Sequence, residues 1–120
     1  MEFERIGDTQ LVATGSWQAQ PSGWVPFALV RIECHRERAE CTESWAQIIA
    51  DEHGAGPYHL VPEFTRYRIE EWSGDSLRAI GQFRGQWAVE LLINGATGDV
   101  RRSYPDQRNR FSDTEYWVLR

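Results

Sequence analysis

The stretch VRIECHRERAECTESW, residues 30–45, decides the fold. Val30, Ile32 and Cys34 alternate with Arg31, Glu33 and His35, which is the period of a strand with one face on a core. Past the polar run from His35 to Glu40, Cys41, Glu43 and Trp45 alternate with Thr42, Ser44 and Ala46. Folded back as a hairpin, the two runs set Cys34 opposite Cys41, at about the Cβ separation a disulfide needs. The second arm also fits a helix, with Cys41, Trp45, Ile48 and Ile49 at helical spacing and Gly54 as a C-cap. Thr42, Trp45 and the cysteine pairing favour a strand over residues 41–50.

Working outward, the chain alternates again wherever turn signals allow it. Leu11, Ala13, Gly15 and Trp17 share a face over residues 10–17, before Pro21 and Gly23 break the run. Residues 66–72 and 77–83 read as a second hairpin around a three-residue loop, Ser73 to Asp75. That loop sets Ile69 against Ala79 and Glu70 against Arg78 as an opposite-charge pair. Residues 86–93 and 100–104 form a third hairpin, with Trp87, Val89, Leu91 and Ile93 on one face and Ile93 returning against Val100. Residues 115–119 supply a last strand. The expected fold is therefore a single all-β domain over residues 1–120. It is an antiparallel meander of about 7–8 strands, closed into a small barrel or folded as a sandwich, with at most one short helix.

These segments carry a resemblance. Ile32-Glu33-Cys34, the run Cys41 to Ala46, the strand Tyr67 to Trp72 and the run Leu91 to Gly95 with Val100 resemble small exported bacterial β-proteins that have no assigned activity. The resemblance covers roughly residues 28 to 104. It implies export and a hairpin disulfide, and it supplies no site residues.

Composition limits the classes of function. The net charge of −5 argues against general nucleic-acid binding and against an anionic membrane surface. All 13 basic residues are arginine, so no Schiff-base or P-loop lysine is present. Arginine alone fits codon bias in a GC-rich genome, and it also fits bidentate carboxylate pairs on the sheet surface. No apolar run approaches the length of a membrane span, and the acidic start at Met1 to Arg5 has no apolar signal region. A disulfide needs an oxidising compartment. Either a leader has been removed and the protein is periplasmic or secreted, or it is cytoplasmic with both thiols reduced.

Candidate chemistry is sparse. Asp51, His53 and His59 surround a glycine-rich loop, but their spacing is too loose for a rigid zinc site. No nucleophile elbow and no Cys-x-x-Cys motif occurs. Glu70 and Glu71 alternate across one strand and cannot act together on one atom. Arg66, Arg68 and Arg78 project from the polar face of the second hairpin, where with Arg101 they form either an anion patch or, with Glu63, Glu70 and Glu71 interleaved, a salt-bridged surface. The alternation that buries Tyr67 and Ile69 points Trp72 outward, and the one that buries Tyr116 and Val118 points Trp117 outward. The pair marks a contact surface if exposed and core if buried. No cofactor is implied. The sequence favours a non-catalytic, exported binding protein, with an inhibitor or immunity-type protein for a basic partner as one form. The alternatives are a small-ligand carrier built on a calycin-like barrel and, third, an enzyme of unknown type.

Overall fold

Ten antiparallel strands form one curled sheet, a half-barrel, in a computed structural model that describes residues 1–23, 28–48, 58–83, 87–105 and 116–120. The strands are β1 (Glu2–Ile6), β2 (Gln10–Gly15), β3 (Trp17–Gln20), β4 (Ala28–His35), β5 (Glu40–Ile48), β6 (Tyr58–Ser73), β7 (Ser76–Phe83), β8 (Trp87–Asn94), β9 (Asp99–Ser103) and β10 (Tyr116–Leu119). Their order across the sheet is β1-β2-β4-β5-β6-β7-β8-β9-β10-β3. Neighbours are mostly consecutive in sequence, as a meander requires.

The curl comes from Gly15 and Ser16. Residues 10–17 keep one alternation, so they read as a single strand, yet the chain changes partner in the middle. Gly15 still pairs with Val30 of β4, whereas Trp17 pairs with Leu119 of β10. Ser16 exchanges both backbone hydrogen bonds with Arg120 at the crossing, each 2.8 Å. A Cβ on residue 15 would stand 2.5 Å from the Arg120 carbonyl oxygen, so only glycine lets the two backbones approach this closely. The strand second from one end of the sheet thereby runs on into the strand at the other end. This division and the added β1 account for ten strands where the alternation suggests seven or eight. The β1 segment carries Glu2, Glu4 and Arg5, poor strand formers, and is held by its ladder to β2.

The arm after Cys41 is a strand. Residues Cys34 and Cys41 are Cα partners, 4.0 Å apart, and their sulfurs are bonded. Ile93 meets Val100 and Ile69 meets Ala79 as the alternation requires. The second hairpin departs from the expected register. Its turn has two residues, Gly74 and Asp75, with Gly74 at φ +58°, the positive φ that a type II′ turn needs at its first central position. Trp72 consequently faces Leu77, and a bulge at Glu70 absorbs the extra residue, so Arg78 faces Glu71 rather than Glu70. A second shift in β6 falls around Pro62, which has no N–H to give to the ladder.

The tight turns at residues 7–9, 36–39, 74–75 and 95–98 gather at one end of the sheet. Arg36 N–H donates to the Thr9 carbonyl at 2.8 Å, and Gly95 N–H to the Asp75 carbonyl at 2.6 Å. The Arg36 guanidinium lies 4.4 Å over the Trp72 ring there. The core lies on the inner face, where Leu11, Ala13, Trp17, Val30, Ile32, Cys34, Cys41, Tyr67, Leu77, Ala79, Val89, Leu91, Ile93, Val100 and Leu119 are buried together. The side chain of Trp87 is outside the described part of the molecule.

Candidate functional site

The inner face holds two charges that hydrophobic patterning does not place there. Glu43 lies between Cys41 and Trp45 on the core side of β5, fully buried, and Arg102 lies on the core side of β9 at 2% exposure. An isolated buried carboxylate is very costly, so its partners decide whether it is tolerated. Glu43 has four. Its Oε2 accepts from the Trp17 indole at 3.0 Å, the Trp45 indole at 2.6 Å and Arg102 Nη1 at 2.9 Å, and its Oε1 accepts from the Tyr67 hydroxyl at 2.5 Å. The donors sit on β3, β5, β9 and β6, so the carboxylate ties together strands from both arms of the curl.

Aromatic rings complete the surroundings of Arg102. Its guanidinium carbon lies 5.9 Å from the Trp17 ring, 5.8 Å from Trp45 and 5.2 Å from Tyr104, the range of cation–π contact. Burial is the largest single influence on Arg102 and works against its charge, but Glu43 together with Tyr67 and Tyr104 outweighs it, and the pKa of the guanidinium is raised. Burial likewise pushes the Tyr67 hydroxyl well above its ordinary range, and the neighbouring Glu43 charge adds to this. The cluster is thus an ionised pair clasped by neutral donors, with a carboxylate whose oxygens are already engaged by protein groups.

The outer face uses the same residue types differently. Arg68 Nε donates to Glu70 at 2.8 Å, Arg78 Nε to Glu90 at 3.1 Å and Arg101 Nε to Asp99 at 2.9 Å, while Arg66 lies 3.7 Å from Glu40. The proposed anion patch is therefore a mixed, salt-bridged surface. Glu33 belongs to it as well. A hydrogen bond from Arg31 holds its carboxyl below the usual range, so the stabilisation it adds is present above the ordinary glutamate pKa and is lost as pH falls through the lowered value.

The two odd tryptophans are part of the inner face. The Glu70 bulge turns Trp72 from the outer side to the inner, and Trp117 stands opposite Arg102 and Ala19, leaving Tyr116 outside beneath Arg101. Both rings are half-buried against the core. Among the metal candidates, Asp51 and His53 lie outside the described residues, as does the side chain of His59. Among the described residues no three metal-binding side chains gather. No helix of the described residues is long and apolar enough to cross a membrane.

Sequence reasoning missed Glu43 and Arg102 as a pair, although the signal was present. Once Cys41 and Val100 face the core, alternation by two carries Glu43 and Arg102 inward with them. A groove of about 390 Å³ on the outer side, floored by Leu92 and bordered by Glu71, Arg78 and Arg101, was likewise not legible. No family model, curated protein or solved structure matches the chain.

Proposed function

We propose that this is a non-catalytic binding protein that meets a basic protein partner through the outer face of its sheet. The observation that carries this is the engagement of the interior. Glu43, the buried acid among the described residues, accepts from four protein donors, and Trp17, Tyr67 and Arg102 fill the space around it. Such a carboxylate is poorly placed to take up a substrate proton, and recognition falls to the surface. The net charge of −5 favours a basic partner, with an inhibitor or immunity-type role as one form. The Cys34–Cys41 bond supports export to an oxidising compartment.

The test is equilibrium binding to a panel of purified basic proteins at about 50 and 500 mM salt, a range over which the Debye length shrinks severalfold. Association that weakens with salt supports the proposal, and affinity indifferent to salt counts against it. Thiol titration of the exported protein should find both cysteines oxidised; two free thiols would remove the argument for export. A small-ligand carrier is the second reading, favoured by the half-buried rings of Trp45, Tyr104 and Trp117 near Arg102. A stoichiometric apolar ligand in native mass spectra would put it first.

A further inference from the structure

The outer groove has an arrangement of charge that names its occupant. Glu71, Arg78, Leu92 and Arg101 are successive cross-strand partners on β6, β7, β8 and β9. With strands about 4.8 Å apart, the two arginines straddle Leu92 at about 10 Å. Each is drawn away from the row by a carboxylate, Arg78 by Glu90 at 3.1 Å and Arg101 by Asp99 at 2.9 Å, and Arg101 also covers the Tyr116 ring at 5.1 Å. Their charges are met within the fold. Two features of the row are left over: Leu92, 40% exposed, and Glu71, which has no ion pair among the described residues.

We infer that this groove docks a lysine or arginine side chain of the basic partner, its alkyl stem on Leu92 and its charged head against Glu71. The inference rests on the basic-partner proposal and gives it a place. Long basic side chains lay their methylenes on apolar surface while keeping the charge at a polar edge, and here the stem would run from Leu92 across the Arg78 methylenes to Glu71, two strands or about 10 Å away. An acidic occupant would meet Glu71 unscreened and find the two guanidinium groups already engaged. A volume of about 390 Å³ suits one such side chain with its flanking backbone.

The inference is tested by amide chemical-shift mapping with two capped tripeptides at about 50 mM salt, Lys-Leu-Lys and Glu-Leu-Glu. The basic peptide should shift the amides of Glu71, Arg78 and Leu92. Glu71→Gln, which keeps the size of the side chain, should weaken it about three- to fivefold, the worth of one exposed charge pair. Glu37→Gln, in the turn of the β4–β5 hairpin, should leave it unchanged, and the spectra themselves show whether each variant is folded. Shifts centred on another face overturn the groove and leave the basic-partner proposal standing. Tighter binding of the acidic peptide overturns the assignment of charge. No shifts from either peptide at millimolar concentration overturn both.

Discussion

Arginine meets carboxylate on both faces of this sheet, and the two faces show what environment does to one kind of bond. On the inside, Arg102 and Glu43 are 2.9 Å apart at side-chain exposures of 2% and 0%. On the outside, Arg101 and Asp99 are also 2.9 Å apart, at 51% and 35%. The distances are equal and the consequences are not. Water screens the outer pair, so it contributes little in either direction. The inner pair has given up its hydration, and each member is tolerated only while the other remains. Neighbouring residues of β9, Arg101 and Arg102, thus have opposite roles because strand geometry turns one to each side.

The sharpest way to break this comparison is to remove one inner charge. Arg102→Met should cost about 3 to 5 kcal/mol, because it strands Glu43 in the core, and Glu43→Leu should cost about as much. Replacing both at once should cost less than the sum, since neither charge is then stranded, although Trp17, Trp45 and Tyr67 still lose their acceptor. Denaturant melts of the two single variants and the double variant measure this directly. Additive losses would mean that the two side chains act independently. Leu91, the ladder partner of Arg102, sets the apolar scale. Leu91→Ala should cost about 2 to 5 kcal/mol, as truncations in packed cores do. A loss below about 1 kcal/mol would mean that the inner face is not packed.

Most of the fold was legible because period-two alternation and turn residues act locally. Cys34 against Cys41 and Ile93 against Val100 follow from counting along a hairpin. What was not legible depends on the chain meeting itself at a distance. The partner switch at Ser16 leaves the alternation of Leu11, Ala13 and Trp17 intact, so nothing nearby reports it. The bulge at Glu70 is offset by the shorter turn at Gly74, which keeps Ile69 on Ala79 while Trp72 changes sides. The site was harder still. Glu43 and Arg102 lie 59 residues apart, and a charge on the core face of an alternating strand is ordinarily read as an error of register. Only the curl of the sheet brings an acid from β5 under an arginine from β9.

Tyr67 tests the neutral side of the inner cluster. Its hydroxyl donates to Glu43, and Tyr67→Phe should cost about 1.5 to 3 kcal/mol, the usual worth of a hydrogen bond to a charged group. The same residue gives a signature in pH. Burial, and after it Glu43, raise its folded pKa well above 10, whereas in the unfolded chain it titrates near about 10. Its contribution is therefore fully present below about pH 10 and is lost as pH rises toward the folded value. Absorbance of the tyrosines at alkaline pH should show one phenol that ionises only as the chain unfolds. Tyr67→Phe should remove that phase and flatten the fall in stability above about pH 10. If all four tyrosines titrate freely in the folded protein, the cluster is more open to water than its burial indicates.

The smallest expected effect is on the outer face, and its smallness is the informative part. Arg68 is bonded to Glu70 by two guanidinium nitrogens, a geometry that on the inner face would be indispensable. Its side chain is 77% exposed, so most of the attraction is returned as lost hydration and lost rotamer freedom. Arg68→Ala should change stability by less than about 1 kcal/mol, and that small difference should shrink further at high salt, where exposed charges are screened. The inner pair is buried out of reach of solvent ions, so Arg102→Met should keep its full cost at the same salt concentration. Melts of both variants at about 50 and 500 mM salt place the two effects side by side. A cost for Arg68→Ala as large as that for Arg102→Met would mean that bonding geometry, rather than access to water, sets the energy of these arginine–carboxylate pairs.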